Sequence, residues 1–373
     1  MANDINKRLR QLRARRDGTD RIALDSAVLS EMQANAFSPS LEAWEKRGSA
    51  DQPHTKYAIG AMQSVGSTYT RVSEETADRV ANQLRSRLND AGIYVEFRLQ
   101  GSVPLDIHIR RVSDVDLLTI ETSLLTYVRD GAKARRGGYT PTSDTSHGVL
   151  NRLRVQVEKD LTAAFPMADV DKTGAKAVKI SGGSLPRSVD VVPAHWYDNA
   201  EYQATENEAH RGITIYDKKN GQTIENFPFL HIERIKTRCV SIGGGLRKAI
   251  RLCKSVKADS DRDIKLSSFD IASAMYHSDM SALRIGQYYD LAILAETQRF
   301  LDYLACNPEY AKTLDVPDGS RKVFDTDEKI KHLVQLSYDM DELLANVYKE
   351  NSTGMIPPGH LSEMRTTVRN LAI

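Results

Sequence analysis

Cysteine is scarce: Cys239, Cys253 and Cys306 are the three in a chain of 373 residues. No two of them have Cys-x-x-Cys spacing and no histidine pair lies near them. Neither a zinc site nor a disulfide framework is expected, and a reducing cytoplasm is the expected setting. No run of about 18 apolar residues occurs, and the N-terminus is charged instead of apolar, so neither a membrane span nor a signal peptide is expected. An excess of one charge is missing as well. With 51 basic and 50 acidic residues the net charge is +1. That balance argues against a protein that grips duplex nucleic acid by bulk electrostatics and confines any such contact to a local groove. Gly243-Gly244-Gly245 lacks the Gly-Lys-Ser/Thr ending of a Walker loop and reads as a helix–helix turn. No Gly-x-Ser-x-Gly accompanies His231, His277 and Asp270, so these read as ordinary core or surface groups, not as a hydrolase triad. No internal repeat is evident.

What is present is a chain with 40% hydrophobic and 27% charged residues, long enough for two packed cores or one bilobal unit. Its acidic residues are patterned. In Asp114-Val115-Asp116-Leu117 two carboxylates alternate with apolar residues. Side chains on a strand alternate between faces, so Asp114 and Asp116 project together while Val115 and Leu117 enter the core. Ser188-Val189-Asp190-Val191-Val192 repeats the device 74 positions after Asp116, so two neighbouring strands bring three acids to one place. Three carboxylates at one point repel one another unless cations bind there. Oxygen-only ligands suit hard ions such as Mg²⁺ or Mn²⁺, and a two-ion site is what in-line displacement at phosphorus uses. Upstream, Gln100-Gly101-Ser102 ends an alternating strand with a glycine that admits close backbone approach and a serine that adds a hydroxyl and an N–H. Such a turn, where it opens a helix, holds phosphate.

Gly101-Ser102, eleven intervening residues, Asp114-Val115-Asp116 and the later Asp190 make a chain that resembles the nucleotidyltransferases of the polymerase-beta superfamily. Within that superfamily, Ser113 to Leu117, Asp190-Val191-Val192-Pro193-Ala194 and Asn226-Phe227-Pro228 look like the bacterial CD-NTases, relatives of cyclic GMP-AMP synthase and oligoadenylate synthase. The resemblance covers about residues 60 to 260. One departure is that Leu105-Asp106-Ile107-His108 stands where many members carry Gly-Thr.

Taken in order, Lys7 to Arg16 reads as a basic helix with a solvated face, and Ala23 to Phe37 as a second helix. Val72, Thr76, Val80, Leu84 and Leu88 recur every four residues before Gly92, which predicts an amphipathic helix and its stop. Val95, Phe97 and Leu99 alternate with polar residues in the strand that leads to Gly101. The polar segment 129–148 reads as a mobile, solvated loop. Leu150, Leu153, Val157 and Leu161 form another helix, closed by Pro166. Ala177 to Ile180, the Gly182-Gly183 turn and Val189 to Val192 form a hairpin that carries the third acid, and Asn220-Gly221 marks a further hairpin. Beyond Pro228 the pattern is almost wholly helical. There Leu246, Ile250, Cys253 and Val256 share one helix face while Arg247, Arg251, Lys254 and Lys257 share another.

The expected architecture is α+β. A nucleotidyltransferase-fold catalytic lobe with a mixed or antiparallel sheet and N-terminal helices spans 1–227, a helical lobe spans 228–373, and the active site lies in the cleft between them. The expected site has Asp114, Asp116 and Asp190 as catalytic and metal-holding residues for two Mg²⁺ or Mn²⁺ ions, with Gln100, Gly101, Ser102, Arg247 and Lys254 on the nucleotide. The resemblance implies that nucleoside triphosphates, ATP among them, are joined into a cyclic or short oligonucleotide with release of pyrophosphate. It also implies antiphage signalling in the cytoplasm through a separate effector protein. The alternative is a template-independent enzyme that makes linear DNA or RNA oligomers, on a protein primer or not, or that nucleotidylates a protein or tRNA.

Overall fold

The computed structural model describes residues 4–17, 42–49, 51–110, 112–352 and 360–373. The expected helix from Ala23 to Phe37 lies outside them. The chain divides into two compact units, Gly66–Asp106 with Ser113–Lys236, and Met1–Val65 with Ile107–Val112 and Thr237–Ile373. The sequence reading cut the chain once, near residue 227, and kept the N-terminal helices with the sheet. The compact units place those helices with the C-terminal ones, because Tyr57, Ala58, Ile59 and Met62 are buried in a helix that packs against the one at 245–258.

The first unit is built on a seven-stranded mixed sheet: β1 Val95–Gln100, β2 Val115–Tyr127, β3 Asp169–Asp171, β4 Val178–Ser181, β5 Val189–Asp198, β6 Gly212–Asp217 and β7 Gln222–Asn226. The path runs β1-β2-β5-β4-β3, and β5 also pairs with β6, which pairs with β7. Only β2 and β5 run parallel. Parallel neighbours need a long crossover, and Ser146–Ala164 provides a helix within it. Antiparallel β1–β2, β4–β5 and β6–β7 are close in sequence, as the alternation and the glycine turns predict. Gly182, Gly183 and Gly221 all take positive φ there.

Both faces of the sheet are covered. Val115, Leu117, Val178, Ile180, Val189 and Val191 pack with Val80, Leu84, Leu88, Leu153, Val157 and Leu161 from the helices Ser67–Asp90 and Ser146–Ala164. Residues of the other parity, Leu118, Ile120, Val192, Ala194 and Trp196, form a second cluster with Ile213 and Ile215. Full burial of each such side chain contributes roughly 1.5–3 kcal/mol. A sheet dry on both faces exposes polar positions only at its ends, and the acids lie at such an end.

The segment read as a mobile loop is instead tied down. Tyr139 stacks on Tyr127 with ring centroids 3.9 Å apart, and its hydroxyl donates to Asp198 at 2.9 Å. Ala134 N–H donates to Gln203. One tyrosine in an otherwise polar stretch supplies the anchor.

The helical unit contains Ile5–Asp17, Pro53–Met62, Gly245–Ala258, Ser268–Met275, Leu291–Cys306, Asp327–Asn351 and Leu361–Arg369. Its N-terminal helix carries the basic run, and five of its six bases have acidic partners. Lys7 meets Asp261, Arg8 meets Asp339, Arg13 meets Glu45, Arg15 meets Asp259 and Arg16 meets Glu42. These cations hold the helix to its own unit. Asp270 and His277 have structural partners too: Asp270 pairs with Arg321 and Lys329, and His277 Nε2 meets the Asp315 carbonyl.

Candidate active site

Strand register assembles the site. Across the sheet, Gln100 on β1 is paired with Asp116 on β2, Asp116 with Asp190 on β5, Asp190 with Lys179 on β4, and Lys179 with Asp171 on β3. One transverse row therefore crosses five strands and carries two of the three predicted acids side by side. Asp114 directly precedes β2 with the same parity as Asp116, and Val115 N–H donates to the Ser188 carbonyl at 3.1 Å, which locks the start of β2 to the start of β5. Asp116 and Asp190 share the parity of Leu118, Ile120, Val192 and Ala194, so the strand face that is apolar further along turns acidic at this end. All three aspartates are partly buried.

Gly101 is the hinge between β1 and the acids. Its φ is +74°, a left-handed value that a side chain disfavours. A Cβ built there would press on the Asp116 carboxylate, 3.0 Å from its Cγ and closer still to Oδ2. Glycine is therefore required twice over, by the backbone and by the carboxylate behind it. Ser102 follows, nearly buried. Residues 101–106 form a turn and do not open a helix, so any phosphate held here meets turn N–H groups, not a helix N-terminus.

The electrostatics fit an anionic trap. Burial raises the pKa of Asp190 above the ordinary carboxylate range, and the neighbouring Asp114 and Asp171 charges add to that; Lys179 opposes it. Lys179 donates from Nζ to Asp114 Oδ2 at 2.5 Å. Burial pulls the pKa of this ammonium down, but its bond to Asp114 and the charges of Asp114, Asp190 and Asp171 outweigh that and hold it above its usual value. Among the described residues no three His, Cys, Asp or Glu converge as a preformed cage. The donor set nonetheless suits hard divalent ions: carboxylates only, half-buried, mutually repelling and with one of them already holding a cation.

Arg247 and Lys254 lie on the helix Gly245–Ala258 of the helical unit. Arg247 is partly exposed. Lys254 is 1% exposed, and its Nζ donates to the Ile107 carbonyl at 2.8 Å. The stripe seen in the sequence is partly engaged by main chain: Arg251 Nε donates to the Met62 carbonyl at 2.8 Å and Lys257 Nζ to Leu266 at 2.6 Å. A cavity of about 430 Å³ lined by Thr126, Ser146, Thr214, Thr223, Ile224 and Glu225 contains none of the predicted site residues. The chemistry is located by the carboxylates, not by that cavity. Lys179 is the site residue that sequence reasoning missed. Its signal was the alternation Val178-Lys179-Ile180, which sets the lysine on the face opposite the hairpin's core residues.

No family model matches the chain. The cyclic dinucleotide synthase CdnE of Yersinia aleksiciae is 44% identical to it over 359 residues, 93% of each chain. This chain belongs to the CdnE cyclic dinucleotide synthases. It is thus a CD-NTase, a nucleotidyltransferase of the kind that makes cyclic nucleotide second messengers. The c-di-GMP synthase of Capnocytophaga granulosa is 32% identical over 340 residues, 83% of this chain and 95% of that one. A solved structure of a STING-associated CdnE c-di-GMP synthase from the same organism matches with a TM-score of 0.69 and 27% identity, covering 93% of this chain and 99% of that one. The α+β nucleotidyltransferase fold that the sequence predicts is the family's fold. Among the described residues no helix is long and apolar enough to cross a membrane.

Proposed function

We propose that this CD-NTase joins two nucleoside triphosphates into a cyclic dinucleotide at Asp114, Asp116 and Asp190, with GTP as its leading substrate and ATP next. The observation that carries the assignment of the site is the register that pairs Asp116 with Asp190 directly beneath Gly101. The choice of guanine is supported by the c-di-GMP activity in the name of the Capnocytophaga granulosa relative. Asp114, Asp116 and Asp190 would hold the two Mg²⁺ or Mn²⁺ ions of such a site. Bound there, such ions supply charge neutralisation at the transferring phosphorus and lower the cost of ionising a sugar hydroxyl.

The chain's own groups do the rest. Gly101 keeps the Asp116 carboxylate in line by leaving room for it. Gln100, the Gly101 backbone and Ser102 are the groups proposed to position the triphosphate, and Arg247 is the proposed cationic partner of its charge, while the buried Lys254 amine is taken by the Ile107 carbonyl. Asp190, whose charged form burial and the neighbouring Asp114 disfavour, is the acid that gains most from a cation beside the attacking hydroxyl. The product would act in the cytoplasm on a separate effector in antiphage defence. The word "STING-associated" in the Capnocytophaga granulosa structure's description supports that setting.

The test is to incubate the purified chain with each ribonucleoside triphosphate, singly and in pairs, with Mg²⁺ or Mn²⁺, and to treat the products with phosphatase before mass spectrometry. A phosphatase-resistant dinucleotide, strongest with GTP and absent from Asp114→Ala/Asp116→Ala, is expected. Linear ladders or nucleotide attached to protein would overturn the reading.

A further inference from the structure

Lys179 takes no part in the reaction as described, yet it occupies the row that makes the site. Its in-register neighbours are Asp190 on one side and Asp171 on the other. Asp171 is engaged by its own turn, accepting from Thr173 N–H at 2.8 Å and from the Thr173 hydroxyl at 2.7 Å. The Lys179 ammonium instead reaches Asp114 at 2.5 Å. The two side chains of this pair are 41% and 36% exposed, so the bond can open to solvent without unpacking the core.

We propose that Lys179 is a positioning residue that stands in for a divalent cation at Asp114 in the metal-free enzyme, and that metal enters this carboxylate by displacing the ammonium. The inference rests on the reading of the three aspartates as the metal site. Physically, half-buried carboxylates on adjacent strand ends repel, and a positive charge at Asp114 lowers that cost before metal arrives. A lysine suits that task better than an arginine. Its ammonium is a compact point charge on a flexible stem and lacks the bidentate fork that would hold a carboxylate against competition. A divalent ion carries twice the charge of the ammonium, so it interacts more strongly with the Asp114 carboxylate and gains by entering. Lys179 thus keeps the acids gathered while lowering their affinity for metal.

The test uses Mn²⁺ alone, without nucleotide, titrated into the full chain with free Mn²⁺ followed by electron paramagnetic resonance. Wild type, Lys179→Met, Lys179→Gln, Lys179→Arg and Asp116→Asn are compared. Lys179→Met and Lys179→Gln are expected to bind Mn²⁺ roughly fivefold more tightly than wild type, the scale of losing one partly exposed competing ion pair. Their metal-free melting temperatures should fall and recover when Mn²⁺ saturates. Lys179→Arg should bind no more tightly than wild type. Unchanged or weaker Mn²⁺ binding in both neutral variants, with Asp116→Asn still impaired, would overturn the role of Lys179 alone. Asp116→Asn titrating like wild type would overturn the metal reading of the acids, and the role of Lys179 with it.

Discussion

Two sets of buried or half-buried carboxylates in this chain are treated in opposite ways. In the helical unit, Asp259 receives both guanidinium nitrogens of Arg15 and the Tyr57 hydroxyl at 2.8 Å. Asp339 pairs with Arg262 and Arg8 and accepts from Ser260. Each of these acids is met by more donors than it needs to be charge-balanced. At the sheet end, Asp116 and Asp190 are register partners on neighbouring strands, Lys179 meets Asp114 in a partly exposed pair, and burial together with the Asp114 charge raises the pKa of Asp190. Complete pairing serves folding: breaking a buried pair strands its partner. A carboxylate whose charged form is disfavoured, as that of Asp190 is, gains from a nearby cation, which fits the proposed site.

The largest effect that sharpens this contrast is on turnover. Asp114→Ala or Asp190→Ala should lower cyclic dinucleotide formation by more than about a thousandfold, since a carboxylate that holds the ions is lost, while the melting temperature stays within a few degrees of wild type. Mass-spectrometric product assays beside thermal melts check both halves. Gly101→Ala should come next. A left-handed φ costs a side chain about 1–2 kcal/mol, and the added methyl displaces the Asp116 carboxylate, so turnover should fall about a hundredfold with the fold retained.

On the other side of the comparison, Asp259→Ala should destabilise the protein by about 3 kcal/mol in a denaturant titration, because the buried Tyr57 hydroxyl and the partly buried Arg15 lose the carboxylate they share. Turnover per folded molecule should be retained.

The smallest effect is in pH. Burial raises the carboxyl pKa of Asp290, but Lys248 and Arg47 outweigh it and hold the group below the usual range. Its contribution to stability is therefore present above the unfolded value and lost as pH falls through the folded one. Asp190 is shifted the other way, so its ionisation costs the folded state stability, and protonation relieves that cost as pH falls into the window just above the unfolded value. In metal-free melts Asp190→Asn should exceed wild type at pH 7, with the gap closing toward pH 4.

Much of this was legible in the sequence where the cause is local. Period-two alternation placed Asp116 and Asp190 on strands with their neighbours inward, and glycine turns placed the hairpins. Charge repulsion among the three acids is what makes them a candidate cation site. What was not legible depends on partners distant in the chain. The basic run at Lys7 to Arg16 reads as a solvated face until Asp259, Asp261 and Asp339 are known to lie against it, and the same pairs draw the N-terminal helices into the helical unit. Lys254 reads as an exposed cation until its amine is found on the Ile107 carbonyl. Lys179 needed the register of β4 on β5, which no single strand's pattern specifies.

The most direct measurement is a pair of metal-free melts on Asp190→Asn and Asp259→Asn, each neutralising one carboxylate at nearly constant volume, with turnover recorded on the same samples. Removing charge where charge is in excess should hold or raise the melting temperature and abolish turnover, whereas removing it where it is matched should lower the melting temperature and spare turnover. Loss of stability in both variants, or turnover surviving in Asp190→Asn, would contradict the account.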